Sequence, residues 1–387
     1  MQHDQDPHRD ASSATSLEIS PVEAVARQAV GALLVDVREE WEREAGMPCG
    51  ALGLAGSRLE ADHASCLPDR ERAILTICAA GARSLRAAER LRRLGYRDVR
   101  SVAGGMRRWQ AERLPVGAGG LDDDARDRYS RHLLLPQVGV AGQRRLAEAR
   151  VVLVGAGGLG SPAALYLAAA GVGRLRLIDD DRVERSNLQR QILHADAHIG
   201  VLKVESAKLT LQALNPRVAI ETHAERLVAE NVEGLLRGAD VVIDGADNFA
   251  TRYLLNAACL RLGIPLIYGA VHRFTGQVSV FDPRRPDSPC YRCLFPEPPG
   301  PGEAPNCAEA GVLGVLPGSI GVLQASEALK LLLGIGEPLV GRLLCHDALA
   351  ASFRELRLSR DPDCPGCSPG AIAQPYADLV RWCASLG

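Results

Sequence analysis

Aromatic side chains are scarce in this sequence, which also has no block of like charge and no long apolar run. Aromatic residues make up 4% of the 387 residues, so stacking platforms for single-stranded nucleic acid are not expected. The formal net charge is -2, which argues against a nucleic-acid or membrane-surface partner. The longest apolar stretches, such as residues 163–172, are too short to cross a bilayer. Because residues 1–16 are polar and lack the apolar centre of a secretory signal, we expect a cytoplasmic protein.

The length of the chain suits two domains, one small and one large. After a leader at residues 1–16, strand and helix patterns alternate through residues 17–116, which predicts a small α/β domain. Residues 117–124 begin with Gly-Ala-Gly-Gly and predict a flexible linker. A second α/β domain follows at residues 125–370, with a tail at residues 371–387. The predicted strands lie at residues 32–37, 73–77, 99–102, 151–154, 175–178 and 241–243, and the predicted helices at residues 83–94 and 162–170.

A glycine-rich loop follows the first predicted strand of the second domain and opens its first helix. Its sequence is GAGGLG, with glycines at Gly155, Gly157, Gly158 and Gly160. Glycine permits a tight turn, and the free N–H groups of the helix start can bind phosphate. Asp179 ends the next strand, where a ribose hydroxyl needs an acceptor. The loop alone favours an NAD-dependent dehydrogenase, and the absence of a G-K-[ST] sequence excludes a Walker P-loop.

Charged residues beyond Asp179 favour nucleotidyl transfer instead. Arg190 and Lys203 can neutralise charge that grows on phosphates, and Asp247, followed by Asn248, can hold Mg²⁺. A hydride-transfer site has little need for two cations and a metal-binding carboxylate. The alternative is a set of surface salt bridges, with a helix cap at Asn187.

These residues stand in motifs that resemble the MoeB/ThiF/HesA family, the bacterial relatives of ubiquitin-activating enzymes. The matching pieces run in one order from about residue 126 to residue 367: RYSRH, GAGGLGSP, IDDDRVERSNLQRQ, KVESAK, DGADNFATR, GQVSVF, CYRC, CAEAGVLG and CPGC. The resemblance implies a Rossmann-like, doubly wound fold that binds ATP, Mg²⁺ and a structural zinc ion. It also implies a homodimer that adenylylates a small ubiquitin-like carrier protein ending in Gly-Gly.

The resemblance also implies a role for each matching residue. Asp179 would hold the ribose and Asp247 the Mg²⁺, whereas Arg131 would be supplied across the homodimer interface. Phosphates would be contacted by Asn187, Arg190 and Lys203. The full ATP-binding set is Gly155, Gly157, Gly158, Gly160, Asp179, Asn187, Arg190, Lys203, Asp247, Asn248 and Arg131.

Eleven cysteines, an odd number, favour metal binding or catalysis over disulfides in a reducing compartment. Two CxxC pairs, Cys290 with Cys293 and Cys364 with Cys367, offer the four thiolates of a closed tetrahedral zinc site. The pattern alone leaves open two redox motifs, and the family resemblance favours zinc. Cys307 matches a family cysteine that forms a thioester or an acyl-disulfide, so we expect it to be catalytic; the alternative is a small buried residue.

Cys78 lies between a buried strand and a helix start, in the loop Cys-Ala-Ala-Gly-Ala-Arg-Ser. Inward-pointing backbone N–H groups, the helix dipole and Arg83 are expected to lower the pKa of this thiol and to stabilise a thiolate or persulfide. The loop resembles the active loop of rhodanese sulfurtransferases, and the match covers about residues 17–116. One rival is a cysteine-based phosphatase, which has a longer loop than the four residues between Cys78 and Arg83. The other rival is an inactive rhodanese fold, although the nucleophile position is filled.

Together these features predict ATP-dependent adenylylation of the C-terminal glycine of a sulfur carrier of the molybdopterin-synthase small-subunit type. Sulfur transfer from the rhodanese domain would then give a thiocarboxylate, with a cysteine desulfurase or thiosulfate as the sulfur source. The same chemistry on a carrier for thiamine, for tRNA thiolation or for another sulfur pathway is the alternative. Less favoured are an NAD-dependent oxidoreductase and a module that binds carriers without turnover. Familiar activating-enzyme fusions place the rhodanese domain last, whereas here it comes first.

Overall fold

The computed structural model describes residues 17–43, 46–116, 121–298, 311–368, 370, 371 and 376. The chain divides into two compact units, Met1–Leu134 with Gly139–Ala141 and Leu135–Val138 with Gly142–Gly387. The predicted leader, the Gly-Ala-Gly-Gly of the predicted linker and Cys307 lie outside the described residues. None of the helices in the described ranges is both long and apolar enough to span a membrane.

The first unit is built on a five-stranded parallel sheet in the order β1-β5-β4-β2-β3. Its strands are β1 Glu18–Ile19, β2 Leu33–Asp36, β3 Leu52–Gly53, β4 Ile74–Ile77 and β5 Val99–Val102. Its helices are α1 Pro21–Ala29, α2 Glu40–Arg43, α3 Gly56–Ala61, α4 His63–Cys66, α5 Ala82–Arg93, α6 Gly105–Ala111, α7 Asp123–Arg128 and α8 Ser130–Leu133. Every residue of β4 is buried, because the two faces of this strand contribute to two separate hydrophobic clusters.

Helix α7 starts inside the segment predicted as a linker. Asp122 caps this helix, since its carboxylate accepts a hydrogen bond from the N–H of Ala125 at 2.8 Å. Residues 123 and 124, predicted to be linker, are therefore helical. In the sequence a run of three aspartates is typical of a solvent-exposed linker. Aspartates also stabilise the N-terminus of a helix, which carries a partial positive charge.

The second unit is built on an eight-stranded sheet in the order β13-β12-β11-β10-β9-β6-β7-β8. Its strands are β6 Arg150–Val154, β7 Arg174–Ile178, β8 Ala219–His223, β9 Val241–Asp244, β10 Leu266–His272, β11 Thr275–Phe281, β12 Arg342–Asp347 and β13 Ser352–Arg357. The helices are α9 Gly139–Glu148, α10 Gly160–Ala170, α11 Lys203–Leu214, α12 Val232–Leu236, α13 Phe249–Leu262, α14 Tyr291–Leu294 and α15 Val315–Leu333, and short 3-10 turns lie at Arg185–Asn187 and Asp196–His198.

Strands β10, β9, β6, β7 and β8 are parallel, and β6 lies between β7 and β9. After β6 the chain adds β7 and β8 on one side of this strand, and it then crosses over to add β9 on the opposite side. Such a switch opens a crevice at the carboxyl ends of the strands, where ligands bind in doubly wound folds. Val154 pairs with both Ile178 and Asp244, so the residues after these three strand ends meet at one place.

The predicted α/β class is confirmed in both units, and each predicted strand and helix is present to within two residues at either end. The antiparallel part, β11 to β13, is an addition to the predicted elements. Strand β13 is exposed along its whole length, so it has no apolar run by which the sequence could reveal it.

Candidate functional site

A cavity of the second unit lies at the carboxyl ends of β6, β7 and β9. Its wall contains most of the predicted nucleotide-binding residues. These are Gly155, Gly157, Gly158, Asp179, Arg190, Lys203, Asp247 and Asn248. The fold therefore brings together residues from four separate segments of the sequence.

The glycine-rich loop turns tightly because side chains are excluded from it. Gly155 has a φ of 93°, and a Cβ at this position would lie 2.6 Å from the carbonyl oxygen of Gly245. A Cβ on Gly160, the first residue of α10, would overlap the carbonyl oxygen of Gly155. Gly160 thus allows the helix start to close on the loop, whereas Gly157 and Gly158 face the cavity.

Asp179 fixes the loop to the end of β7. Its Oδ2 accepts a hydrogen bond from the N–H of Ala156 at 2.7 Å, and its Oδ1 accepts one from the N–H of Asp181 at 2.9 Å. Burial raises the pKa of Asp179, although the nearby charge of Lys203 and both hydrogen bonds oppose this rise. Each oxygen keeps a lone pair, so the carboxylate can also accept a ribose hydroxyl.

Two predicted cations face the cavity in different surroundings. The side chain of Lys203 is 7% exposed, and its Nζ lies 2.7 Å from Oδ2 of Asp181. Arg190 is half-buried and donates to the carbonyl oxygen of Ser186 at 3.2 Å. Asp247 is exposed at the opposite side of the loop, after β9. This arrangement can balance the charge of a polyphosphate.

Two members of the predicted set, Asn187 and Arg131, are not among the described residues that line the cavity, and Asn248, which is, has a second role. Asn187 ends a 3-10 turn, is 8% exposed, and donates to Oγ of Ser186 at 3.2 Å, away from the cavity lining. Asn248 lines the cavity but also caps α13, since its Oδ1 accepts from the N–H of Thr251 at 2.9 Å. Arg131 is exposed on α8, within the first unit.

Arg252 and Asp244 support the same wall, and Asp244 was not predicted from the sequence. The guanidinium of Arg252 donates to the carbonyl oxygen of Ala246 at 2.9 Å and lies 3.5 Å from a carboxylate oxygen of Asp244. Burial raises the pKa of Asp244 to about 6, and the charge of Arg252 opposes this rise. The signal in the sequence was a carboxylate directly continuing an apolar strand.

His194 is a further residue that sequence reasoning missed. Its Nε2 lies 2.9 Å from the carbonyl oxygen of Ala156, which can only accept, so this nitrogen carries the hydrogen. Its Nδ1 then accepts from Oγ of Ser206 at 2.9 Å. Burial lowers the pKa of His194, which favours this neutral form. The imidazole therefore holds the glycine-rich loop through a hydrogen bond to its backbone.

The four cysteines of the CxxC pairs come together as predicted for zinc. The Sγ atoms of Cys290 and Cys364 are 3.6 Å apart, as are those of Cys293 and Cys367. All four lie within 4.8 Å of one another. Zn–S bonds of about 2.3 Å in a tetrahedron place sulfurs about 3.8 Å apart, so the cluster fits this ion. The distances are too long for disulfides, which are about 2.05 Å.

Backbone N–H groups complete the surroundings of this cluster. The N–H of Asp361 points to Sγ of Cys293 at 3.5 Å, and that of Gly366 points to Sγ of Cys364 at 3.4 Å. The hydrogen bond between the Cys290 and Cys293 side chains lowers the pKa of Cys293 and raises the pKa of Cys290. Donors aimed at sulfur stabilise thiolates, the form in which cysteine binds a metal.

Cys78 lies at the end of β4, at the base of the predicted rhodanese loop. Its Sγ accepts from the N–H of Gly81 at 3.2 Å and lies 3.4 Å from Oγ of Ser84. The loop packs tightly on Gly105, where a Cβ would overlap the carbonyl oxygen of Cys78. Burial raises the pKa of Cys78, but hydrogen bonds from Ser84 and the backbone outweigh it, so the pKa is lowered. The loop is thus built to hold a thiolate.

The guanidinium of Arg83 is engaged in a two-pronged ion pair with Glu42. Nη1 lies 2.7 Å from Oε2 and Nη2 lies 2.5 Å from Oε1. These bonds raise the pKa of Arg83 and lower that of Glu42. Sequence reasoning placed Arg83 beside the thiol but missed its partner, which lies 41 positions earlier.

Comparison with known proteins assigns a family to each unit. The model of the ThiF family matches residues 129–366, and that of the rhodanese-like domain matches residues 20–112. A sulfur carrier protein adenylyltransferase of Thermus thermophilus is 53% identical over 262 residues, which cover 66% of this chain and 96% of the relative. An adenylyltransferase and sulfurtransferase of Drosophila yakuba is 47% identical over 264 residues, which cover 68% of this chain and 58% of the relative.

Solved structures share the fold of the second unit. The crystal structure of E. coli MccB with ATP superimposes with a TM-score of 0.52 and 24% identity. The alignment covers 62% of this chain and 74% of MccB.

Proposed function

Because the chain belongs to the ThiF family and also carries a rhodanese-like domain, we propose that it adenylylates a sulfur carrier and delivers sulfur to it. The carrier is a small ubiquitin-like protein ending in Gly-Gly, of the molybdopterin-synthase small-subunit type. The observation that carries this proposal is the cavity at the strand switch, where Asp179, Arg190 and Lys203 face the glycine-rich loop. This geometry favours nucleotidyl transfer over the dehydrogenase alternative, because two cations serve phosphates rather than hydride transfer.

ATP would lie with its phosphates on the glycine-rich loop and its ribose against Asp179. A carboxylate oxygen of the carrier attacks the α-phosphate, and pyrophosphate leaves. Lys203 and Arg190 balance the charge that moves to the leaving group, and positioning supplies most of the catalysis. Asp247 would hold Mg²⁺, which neutralises phosphate charge when bound; a single carboxylate suits this ion, since it keeps several waters.

Sulfur transfer would begin at Cys78. The thiolate takes sulfane sulfur from a donor and becomes a persulfide, whose outer sulfur attacks the acyl-adenylate and displaces AMP. A second thiol then breaks the sulfur–sulfur bond, leaving a thiocarboxylate on the carrier and a disulfide on Cys78. Cys307, predicted to form a thioester or an acyl-disulfide, lies outside the described residues and stays a prediction.

Two further parts of the proposal concern structure rather than chemistry. Cys290, Cys293, Cys364 and Cys367 would hold one zinc ion that stabilises the C-terminal part of the second unit. The active form would be a homodimer in which Arg131 reaches the partner's nucleotide site. A cysteine desulfurase or thiosulfate would supply the sulfur.

The two activities can be separated with one variant and one matched control. Full-length wild-type, Cys78→Ala and Cys66→Ala proteins are incubated with ATP, Mg²⁺, a sulfur donor and recombinant carriers from the molybdopterin, thiamine and tRNA-thiolation types. We expect all three proteins to support carrier-dependent ATP–pyrophosphate exchange. Cys78→Ala alone should fail to form the thiocarboxylate, which intact-mass analysis detects as a gain of about 16 Da, since sulfur replaces oxygen.

Two results would contradict the proposal at different points. If no carrier supported ATP–pyrophosphate exchange, the proposed adenylylation would be wrong. Thiocarboxylate formation by Cys78→Ala at the wild-type rate would remove the rhodanese-like unit as the donor.

A further inference from the structure

The loop that follows Cys78 contains one basic residue, and that residue is already paired. Between Cys78 and Ser84 the sequence is Ala-Ala-Gly-Ala-Arg, so Arg83 is the single cation of the loop. Both of its terminal nitrogens donate to Glu42, at 2.7 and 2.5 Å. The side chain of Glu42 is 14% exposed and that of Arg83 is 41% exposed, so water screens the arginine more than the carboxylate.

The charged residues that act on Arg83 and Glu42 carry more negative than positive charge. Arg83 interacts electrostatically with Cys78, Glu42 and Glu39. The pKa of Glu42 is lowered by its bonds to Arg83, so this carboxylate is ionised at neutral pH. Arg38, which also acts on Glu42, is itself bonded to the buried Asp36 at 2.6 Å.

These five residues are three carboxylates and two guanidinium groups. Arg83 is paired with Glu42 and Arg38 with Asp36, and Glu39 adds one further negative charge that acts on Arg83. The thiolate is stabilised by dipoles instead, namely the Ser84 hydroxyl and the backbone N–H groups of Ala80 and Gly81. Dipoles favour one charge on sulfur, but they do not offset a second and third charge brought by a donor.

We propose that Glu42 determines which sulfur donor the loop accepts. By neutralising Arg83 it makes the site reject dianionic donors such as thiosulfate and accept donors with a single charge at the transferred sulfur, such as persulfides. This inference rests on the proposed sulfur transfer at Cys78 and narrows its substrate class. Glu42 acts through Arg83 and the local potential, so it is a specificity-determining residue rather than a catalytic one.

The transfer itself has the same form for every donor. The Cys78 thiolate attacks the outer sulfur of the donor, a new sulfur–sulfur bond forms, and the old bond breaks. Thiosulfate leaves as sulfite, and a persulfide leaves as its thiolate. No electrons are gained or lost overall, and Cys78 ends as a persulfide in each case.

The effect of donor charge can be measured with two small donors that differ in charge but are similar in structure. Methanethiosulfonate resembles thiosulfate, but a methyl group replaces one charged oxygen, so it carries one negative charge instead of two. Because the Coulomb energy scales with ligand charge, removing one carboxylate changes the logarithm of kcat/KM twice as much for the dianion as for the monoanion. A merely structural role of Glu42 would change both donors by the same factor.

The test measures kcat/KM with cyanide as acceptor for full-length wild-type, Glu42→Gln and Glu71→Gln proteins. Glu71 is a matched control, since it forms an exposed ion pair with Arg97 at 2.9 Å. For Glu42→Gln we expect a rise of about threefold with methanethiosulfonate and about tenfold with thiosulfate at low ionic strength. Glu71→Gln should match the wild type with both donors.

A second measurement needs no variant. Salt screens repulsion, so the wild-type preference for the monoanion should weaken as ionic strength rises. An unchanged ratio between the donors in Glu42→Gln, or a wild-type preference that strengthens with salt, would overturn the inference and leave sulfur transfer intact. Absence of turnover with both donors in the wild type would overturn the proposed sulfur transfer and this inference with it.

Discussion

The ammonium group of Lys203 lies 2.7 Å from a carboxylate oxygen of Asp181, yet the two side chains differ greatly in exposure, at 7% and 64%. The lysine is buried in the wall of the nucleotide cavity, whereas the aspartate faces solvent. Lys203 also opposes the rise in the pKa of Asp179 that burial causes. The charge of Lys203 thus acts on Asp181, on Asp179 and on the part of the cavity where phosphates are expected.

Replacing Lys203 should impair adenylylation more than folding. In Lys203→Ala two aspartates face the phosphates without a compensating charge, so we expect ATP–pyrophosphate exchange to fall on the order of a hundredfold or more. Lys208→Ala, on the same helix α11, is the control and should retain wild-type exchange. Near-normal exchange in a folded Lys203→Ala protein would remove this residue from phosphate binding.

Asp247 is the predicted ligand of Mg²⁺. It is exposed at the cavity, so Asp247→Ala should keep its melting temperature within a few degrees while losing about a hundredfold in Mg²⁺-dependent exchange. A titration with Mg²⁺ tests the assignment, because a weakened site needs more metal for the same rate. Asp287→Ala, an exposed aspartate outside the cavity lining, serves as control. An identical Mg²⁺ dependence in both variants would count against Asp247.

The cysteine cluster predicts one zinc ion per chain. Elemental analysis of protein purified without chelator should find it, and Cys364→Ser should lose most of it. Cys345→Ser, which changes a cysteine outside the cluster, should keep full zinc content. Metal-free wild-type protein, or full occupancy in Cys364→Ser, would contradict the site.

The pKa of Cys78 gives the pH dependence of sulfur transfer. The thiolate is the nucleophile, so the rate rises with pH through the pKa of this thiol, and a lowered pKa moves that rise to lower pH. Ser84 supplies the largest lowering contribution, so Ser84→Ala should move the rise to higher pH while leaving the plateau rate similar. Ser57→Ala, an exposed serine on α3, is the control, and pH–rate profiles of all three proteins provide the measurement. A profile of Ser84→Ala that matches the wild type would show that the backbone donors suffice.

Much of the fold followed from the sequence because its parallel strands are short, apolar and buried. The apolar residues Val151–Val154 and those around Ile243 indicate buried strands. The polar residues that follow them indicate where each strand has its carboxyl end. Once three such ends are known, the doubly wound topology places Gly155 and Asp179 side by side. The convergence of the two CxxC pairs depended on the family resemblance, since no local pattern relates segments so distant.

Pairings between distant polar residues could not be predicted. Arg83 was expected to lower the pKa of Cys78, but its guanidinium is bonded to Glu42, a pairing that the sequence does not indicate. Asn187 was proposed for phosphate contact, with a helix cap as the alternative; its amide donates to Oγ of Ser186, and Asn248 is the residue that caps α13. In both cases the deciding fact is which partner lies within hydrogen-bonding distance, and that depends on tertiary packing.

The cysteine cluster also has a consequence for the way the second unit unfolds. Cys290 and Cys364 are 74 positions apart, and the chain between them contains α15, β12 and β13. An ion held by both pairs would act as a cross-link that closes this long loop in the folded unit. Loop closure on this scale is worth about 4 kcal/mol of chain entropy. A chelator would therefore act as a denaturant on this segment, and the exposed strand β13 would be released with it.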